Sequence, residues 1–454
     1  MKNYLKIVSY CLLAVFFAVT LTGCGTKAPT DPDALKVKVW SFEDEDAWKP
    51  VTKSFASKNK GYTLVYEKQT LDTSYENKIL NSILSGQGPD IWAMPNDWVY
   101  RHKEKLAPMP DTLAKTYNLD KQFVPAIKQS VYFDNKIYAM SPSAEPLMVY
   151  YNSKIFNSTA NDINANSKDK EFNKKANNLL NTFPKTWSDF TELTKILTKK
   201  NGATVSLSGV AMGTNNISDS ADISYLLMMQ NETDIISSNY KLATFNLPKD
   251  TSTGASDLPG QRAIEFYSSF ADPSSANYSW NDSLGNDIAA FGAGRTAMIF
   301  GYSGLQNTIL QKYPDLKFKK AYAPQISTDS TKITDFARFN AFGVNKLSKN
   351  IVPAWNAIDL LINNNDTDFN SYGKLFSSKK ASSYDISVTN RESSNPEKLS
   401  LATANALVKG KYPLEFDSFI REAIDSVNRG VQTPRNALDL AANNATEILR
   451  KDSW

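Results

Sequence analysis

Apolar and charged positions alternate along residues 35–40 (LKVKVW), the period-two pattern of a strand with one buried face. Residues 46–57 follow a helical pattern, and residues 62–66 predict a second strand. Along residues 75–84 (YENKILNSIL), Ile79, Leu80 and Ile83 fall on one side of a helix. Gly86-Gln87-Gly88-Pro89 ends it, because the glycines permit a tight turn and Pro89 presets φ. A short strand, Asp90-Ile91-Trp92-Ala93-Met94, comes next. Strand, helix, strand, helix, strand at this spacing predicts a parallel α/β sheet. Ligands sit at the carboxyl ends of the strands in such sheets, here Ser41-Phe42-Glu43-Asp44 and Pro95-Asn96-Asp97-Trp98.

Farther along, residues 136–140 and 147–151 read as strands around Ser141-Pro142-Ser143-Ala144-Glu145-Pro146. Prolines with small residues between them suit a crossover between two domains. Residues 161–178 are rich in Asn and Lys and predict a solvated insertion. In Pro184-Lys185-Thr186-Trp187-Ser188-Asp189, Thr186 is placed as an N-cap with Asp189 three residues on. Strand patterns recur at residues 205–212, 297–300, 318–323 and 341–344, the last leading into a helix at 352–362. Amphipathic helices at 416–427 and 437–449 close the chain, and no repeat of solenoid length is present.

The first 24 residues have a different pattern. Lys2 and Lys6 give a positive start, residues 7–21 are uncharged and mostly apolar, and Leu21-Thr22-Gly23-Cys24 follows. An apolar run of about 15 residues falls short of the roughly 20 that a spanning helix needs, so it reads as an export signal rather than an anchor helix. L-T-G-C resembles the bacterial lipobox, which implies cleavage after residue 23 and a lipid on Cys24. Cys11 is then discarded, and residues 24–34 form a tether to the extracytoplasmic face of the cell membrane.

Composition narrows the function. Hydrophobic residues are 41% of the chain and charged ones 22%, the balance of a globular protein rather than a disordered or multispanning one. With Lys and Arg at 51 and Asp and Glu at 47 the net charge is +4, so no electrostatic footprint for nucleic acid exists. Two cysteines and the single His102 exclude a disulfide framework and a Cys/His zinc site. Any chemistry falls to carboxylates, hydroxyls and aromatics, of which 8 Trp and 21 Tyr are notable. His102, within Arg101-His102-Lys103, reads as a solvated helix residue. Tyr150 and Tyr151 are neighbours in a strand and face opposite ways, which argues against a shared metal.

Four stretches together resemble the bacterial extracellular solute-binding proteins (family 1) of ABC importers, in the large sugar-type branch that includes maltose-binding protein. They are ILNSILSGQGPDIWAMPNDW at 79–98, NKIYAMSPSAEPLMVYYNSKIF at 135–156, FPKTWSDF at 183–190 and DIAAFGAGRTAMIF at 287–300. The resemblance implies an α/β, two-lobed periplasmic-binding-protein-like fold, each lobe a mixed or parallel sheet flanked by helices, joined by hinge crossover strands. Its implied divisions are a lipoprotein signal peptide at 1–23, the tether at 24–34, and a first lobe at 35–145 completed by a return segment at 325–375. The second lobe takes 146–324 and the closing helices of 376–454. A monomer that binds a carbohydrate between the lobes and hands it to permease subunits is expected, with no cofactor and no enzymatic step.

Sugars are held by aromatic faces on pyranose C–H surfaces and by carboxylates and amides on hydroxyls. Asn96, Asp97 and Trp98 supply all three types in a row, and Asp97 matches the family's hydroxyl acceptor. A surface turn over a packed Trp98 is the plainer reading. Glu145 sits where the resemblance places an acidic contact near the hinge, and Phe42, Glu43 and Asp44 follow the first strand. Tyr302 occupies a position where the family presents a stacking aromatic. Trp280, Arg338 and Asn340 complete the candidates, Trp280 either lining the cleft or packing under the following helix and the other two just before the returning strand. Leu414-Glu415-Phe416-Asp417-Ser418-Phe419 lacks the tryptophan that maltose-binding protein uses near the start of its penultimate helix. Three other functions stay open: a peptide or other small-solute receptor, an adhesin, and a glycan-active enzyme using Glu43, Asp97 and Glu145 as its carboxylates.

Overall fold

The computed structural model describes residues 35–250, 256–327, 329, 332–363, 376–378 and 395–451. The expected signal, Cys24 and the tether lie outside them.

Strand Leu35–Ser41 runs parallel to both Tyr62–Lys68 and Ile91–Pro95, with Val37 and Val39 fully buried and Lys36 and Lys38 exposed. The alternation in the sequence is thus the two faces of one strand. Helices Glu45–Lys58 and Tyr75–Leu84 return the chain between these strands. Strand Asn340–Asn345 adds antiparallel to Ile91–Pro95, with Asn340 opposite Pro95. Trp48, Trp92 and Trp355 are fully buried in the core of this lobe.

A second sheet is built on the ten-residue strand Ser143–Asn152, which pairs antiparallel with Met298–Tyr302 and Phe318–Tyr322. The second core gathers Phe190, Tyr225, Tyr267 and Phe291. The two cores meet along continuous strands rather than a loose linker. Ala144 belongs to the first core and Leu147 to the second, so Ser143–Asn152 passes through both. The predicted crossover at 141–146 is therefore strand from Ser143 onward, with Pro146 in the ladder opposite Ala337. Strand Asp335–Arg338 returns beside it, Arg338 opposite Glu145, with Phe336 in the second core and Ala337 in the first. A third connection follows strand Ala404–Asn405, which pairs parallel with Asp335–Arg338. Ala404, Ala406 and Val408 pack in the first core although they fall within the segment expected in the second lobe, while helices Pro413–Asn428 and Pro434–Arg450 pack in the second. The fold is two α/β lobes joined by crossing strands.

One local expectation needs correction, and another gains detail. Residues 161–178 are solvated as expected, with only Ala176 buried, and they form parts of helices Ser153–Asn166 and Lys170–Asn181. The second helix buries Ala176, Leu179 and Leu180 at i, i+3, i+4, an apolar stripe that the surrounding Asn and Lys obscure. The strand pattern at 205–212 is realised only over Thr204–Leu207. The helix start at Thr186 has its cap, the hydroxyl oxygen accepting from the Asp189 backbone N–H at 3.2 Å.

Candidate functional site

Where the two lobes meet, a cavity of about 740 Å³ opens over the hinge strands. The first lobe contributes Pro95 to Trp98 and the 71–76 rim, and the hinge contributes Glu145 and Phe336 to Asn340. Asp219 and Asp222, the third connection and the start of helix Pro413–Asn428 form the opposite wall.

Several chain segments have to coincide to build it. Asn96 directly follows the third strand, and both ends of its amide are engaged. Its Oδ1 accepts from the Phe339 N–H at 3.2 Å, and its Nδ2 donates to Ser130 Oγ at 3.2 Å. Asn96 thus fixes the strand end to the hinge. Asp97 faces Lys409 Nζ at 3.2 Å. Trp98 is mostly buried, lines the cavity and has one face stacked on Tyr75, with centroids 6.4 Å apart. Glu145 Oε2 accepts the Gly304 N–H at 2.7 Å across the hinge. The Arg338 guanidinium lies over the Tyr302 ring at 3.7 Å and 3.9 Å from Asp219. Asn340 lines the floor, its carbonyl accepting from the Ser141 hydroxyl at 2.7 Å.

Of the eleven candidates, these six — Asn96, Asp97, Trp98, Glu145, Arg338 and Asn340 — line one cavity. The other five do not. Phe42 packs edge-on against Tyr75 at 5.1 Å, behind Trp98. Glu43 accepts from the Ser41 hydroxyl, its carbonyl accepts from Tyr66, and burial pushes its carboxyl pKa up. Asp44 is exposed and pairs with Lys68. Trp280 is fully buried in the second core, so it packs the lobe rather than walls the cleft. Tyr302 is fully buried as well. Its hydroxyl donates to Asp222 Oδ2 at 2.7 Å and Arg338 covers its ring, leaving no face for stacking. Tyr302 therefore supports the wall from behind.

A family model described as bacterial extracellular solute-binding protein matches residues 51–363, more than half of the 454. The chain belongs to the bacterial extracellular solute-binding proteins. Such proteins are receptors that bind solutes rather than enzymes that transform them. A maltotriose-binding protein of Pyrococcus abyssi is 30% identical over 82 residues, which is 18% of this chain and 18% of that protein. Among solved structures, a cyclic α-maltosyl-1,6-maltose binding protein from Arthrobacter globiformis superposes with a TM-score of 0.68 at 17% identity, covering 92% of this chain and 100% of that one. The sugar-binding protein of Xanthomonas citri gives 0.66 at 15% identity, covering 92% and 98%. A solute-binding protein from Thermotoga lettingae bound with α-D-tagatose gives 0.62 at 18%, covering 92% and 100%. These similarities show the two-lobed fold.

In this receptor the cleft contains groups that the sequence did not single out. Lys409 is buried between Asp97 and Asp417, 2.7 Å from the latter. Burial alone would lower its pKa, but the two carboxylates outweigh that and hold the ammonium firmly charged. Asp219 is pushed up to about 7 by burial, against the opposing charge of Arg338 and with Asp222 and Asp287 adding to the rise. None of the three was among the sequence candidates. The one local signal available was the three-residue spacing of Asp219 and Asp222 at the start of helix Ser220–Gln230, which puts the two acids on one face.

His102 also departs from expectation. It is 2% exposed, lies against Trp92 and Trp98, and has Nε2 3.0 Å from Glu76 Oε1. Burial lowers its pKa against the pull of Glu76. Tyr150 and Tyr151 point apart, the first donating to the Tyr302 carbonyl at 2.8 Å and the second stacked on Phe183. Among the described residues no group of three His, Cys, Asp or Glu side chains could hold a metal ion, and no helix is long and apolar enough to cross a membrane.

Proposed function

We propose that this receptor binds a neutral carbohydrate, an oligosaccharide in size, and delivers it to the permease of an ABC importer. The observation that carries the reading is the interlobe cavity of about 740 Å³, lined by Asp97, Glu145, Asn340 and Trp98. Carboxylates accept from sugar hydroxyls, amides both accept and donate, and an indole covers C–H groups. The volume lies within the range of ligand pockets, about 300–1,000 Å³. The sugars named for the relatives above support the same class. Solute contacts to both lobes would favour the closed form by their differential affinity, and the permease would read that form. The lobes are proposed to divide at residue 145, with residues 404–408 assigned to the first. The lipid on Cys24 would hold the receptor at the membrane as a monomer; mass analysis of the membrane-extracted protein should show a chain starting at Cys24 that carries a lipid adduct, and a Cys24 without one would refute the anchor.

A thermal-shift screen of residues 25–454 against neutral oligosaccharides, oligopeptides and polyamines tests the solute class. A sugar that raises the melting temperature supports the reading, and a rise with peptides alone overturns it.

A further inference from the structure

Lys409 occupies an unusual place for a cation. Its side chain is 7% exposed, it lines the cavity, and it comes from the third connection between the lobes. Its ammonium lies 3.2 Å from Asp97 Oδ2, in the first lobe, and 2.7 Å from Asp417 Oδ2, in helix Pro413–Asn428 of the second. The Tyr225 ring centroid is 5.9 Å away. Burying a lysine is costly unless it is paired, and here two carboxylates pair it.

An ammonium has three N–H donors, and two carboxylates take only two of them. Both carboxylate oxygens of Asp417 are already engaged, Oδ2 by Lys409 and Oδ1 by the Tyr225 hydroxyl at 2.8 Å. Asp97 is different, because its Oδ1 accepts no hydrogen bond among the described residues. The ammonium therefore keeps a third N–H beyond its two carboxylates, close to the free Oδ1 of Asp97, and both residues line the cavity. Adjacent hydroxyls on a pyranose match that pair, one accepting from the ammonium while its neighbour donates to the carboxylate. One positive against two negative charges leaves the cluster net negative, which disfavours an acidic sugar. We infer that Lys409 contacts the solute and, with Asp97, determines specificity for the adjacent hydroxyls of a neutral sugar. The inference rests on the carbohydrate reading above and goes further by naming a residue and a hydroxyl pattern. The same cluster joins the lobes, so a solute entering it touches groups fixed to both.

The test uses the chain from residue 25 with the double substitution Lys409→Met and Asp417→Asn. This variant removes the ammonium donor yet keeps the local charge unchanged, and the amide oxygen introduced by Asp417→Asn still accepts from Tyr225. Lys409→Met alone would leave the buried Asp417 carboxylate without its cation, so it serves only as a comparison. Melting temperature and circular dichroism of the solute-free variants report folding. Binding is measured by calorimetry with maltotriose, cellotriose, mannotriose and galactotriose, and with trigalacturonate as the acidic control. The wild type should bind at least one neutral trisaccharide and exclude trigalacturonate. The folded double variant should lose about ten- to a hundred-fold in affinity for that sugar, the loss expected for one charge-assisted hydrogen bond. Unchanged affinity in the folded variant overturns the role of Lys409 and leaves the carbohydrate reading standing. Failure of the wild type to bind any of the neutral sugars overturns both.

Discussion

Asp219→Asn should make the protein more resistant to unfolding at neutral and alkaline pH and leave it almost unchanged near pH 4. Asp219 caps helix Ser220–Gln230 without a side-chain cap bond, so an asparagine there loses no local hydrogen bond. Burial raises its carboxyl from 3.8 to about 7; Arg338, 3.9 Å away, and Arg421 oppose the rise, while Asp222 and Asp287 add to it. Between those values the folded chain keeps a proton that the unfolded chain releases. Stability therefore falls as pH rises through that window, and the full penalty is present above pH 7. Three pH units at about 1.4 kcal/mol each set an upper limit of about 4 kcal/mol, and a side chain 18% exposed to the cavity will show less, about 1–3 kcal/mol. Urea unfolding of both proteins at pH 4, 5.5, 7 and 8.5 measures the gap, taken from the transition that reports the second lobe. The gap should open with pH and level off above 7. A gap that is constant across the series, or that widens toward acid, would refute the reasoning.

Other substitutions test separate parts of the account. A Cβ on Gly260 would lie 1.9 Å from the Phe245 carbonyl oxygen, so Gly260→Ala should lower stability by about 1–3 kcal/mol or more, read as a drop in urea midpoint. Trp280→Ala should cost about 3–5 kcal/mol in stability, because Trp280 packs the second core. In the fraction that remains folded, solute affinity should be unchanged, and a selective loss of affinity would return Trp280 to the cleft. Asp97→Ala should weaken solute binding by about 1–3 kcal/mol by calorimetry while the melting temperature of the solute-free protein stays within a few degrees. Equal affinity would remove Asp97 from the site.

Much of the first lobe was legible because its signals are local. The alternation of Leu35 to Trp40, the stripe of Ile79 and Ile83, and the turn at Gly86 to Pro89 each depend on near neighbours alone. The strand ends were legible too, and through them Asn96 to Trp98. What could not be read is burial decided at a distance. Tyr302 and Trp280 have side chains suited to stacking on a sugar, yet Arg338 and the second core claim them first. His102 carries a basic sequence context and still sits beneath Trp98, because Glu76 and Trp92 come from other segments. Lys409 shows the same limit from the other side. Its partners are 312 residues upstream and 8 downstream, so no spacing rule links Asp97, Lys409 and Asp417. At residues 161–178 the Asn- and Lys-rich composition reported solvent exposure correctly but hid the helices, because few apolar residues hold them down.

The central claim is that the interlobe cavity binds a neutral oligosaccharide and leaves it intact. Calorimetric titration of the chain from residue 25 with neutral trisaccharides, followed by mass analysis of the recovered ligand, tests it most directly. The account predicts one site per chain, a stabilisation of about 2.7 kcal/mol at a hundred times the dissociation constant, and a sugar recovered whole. No binding by any neutral sugar, or recovery of cleaved fragments, would contradict it.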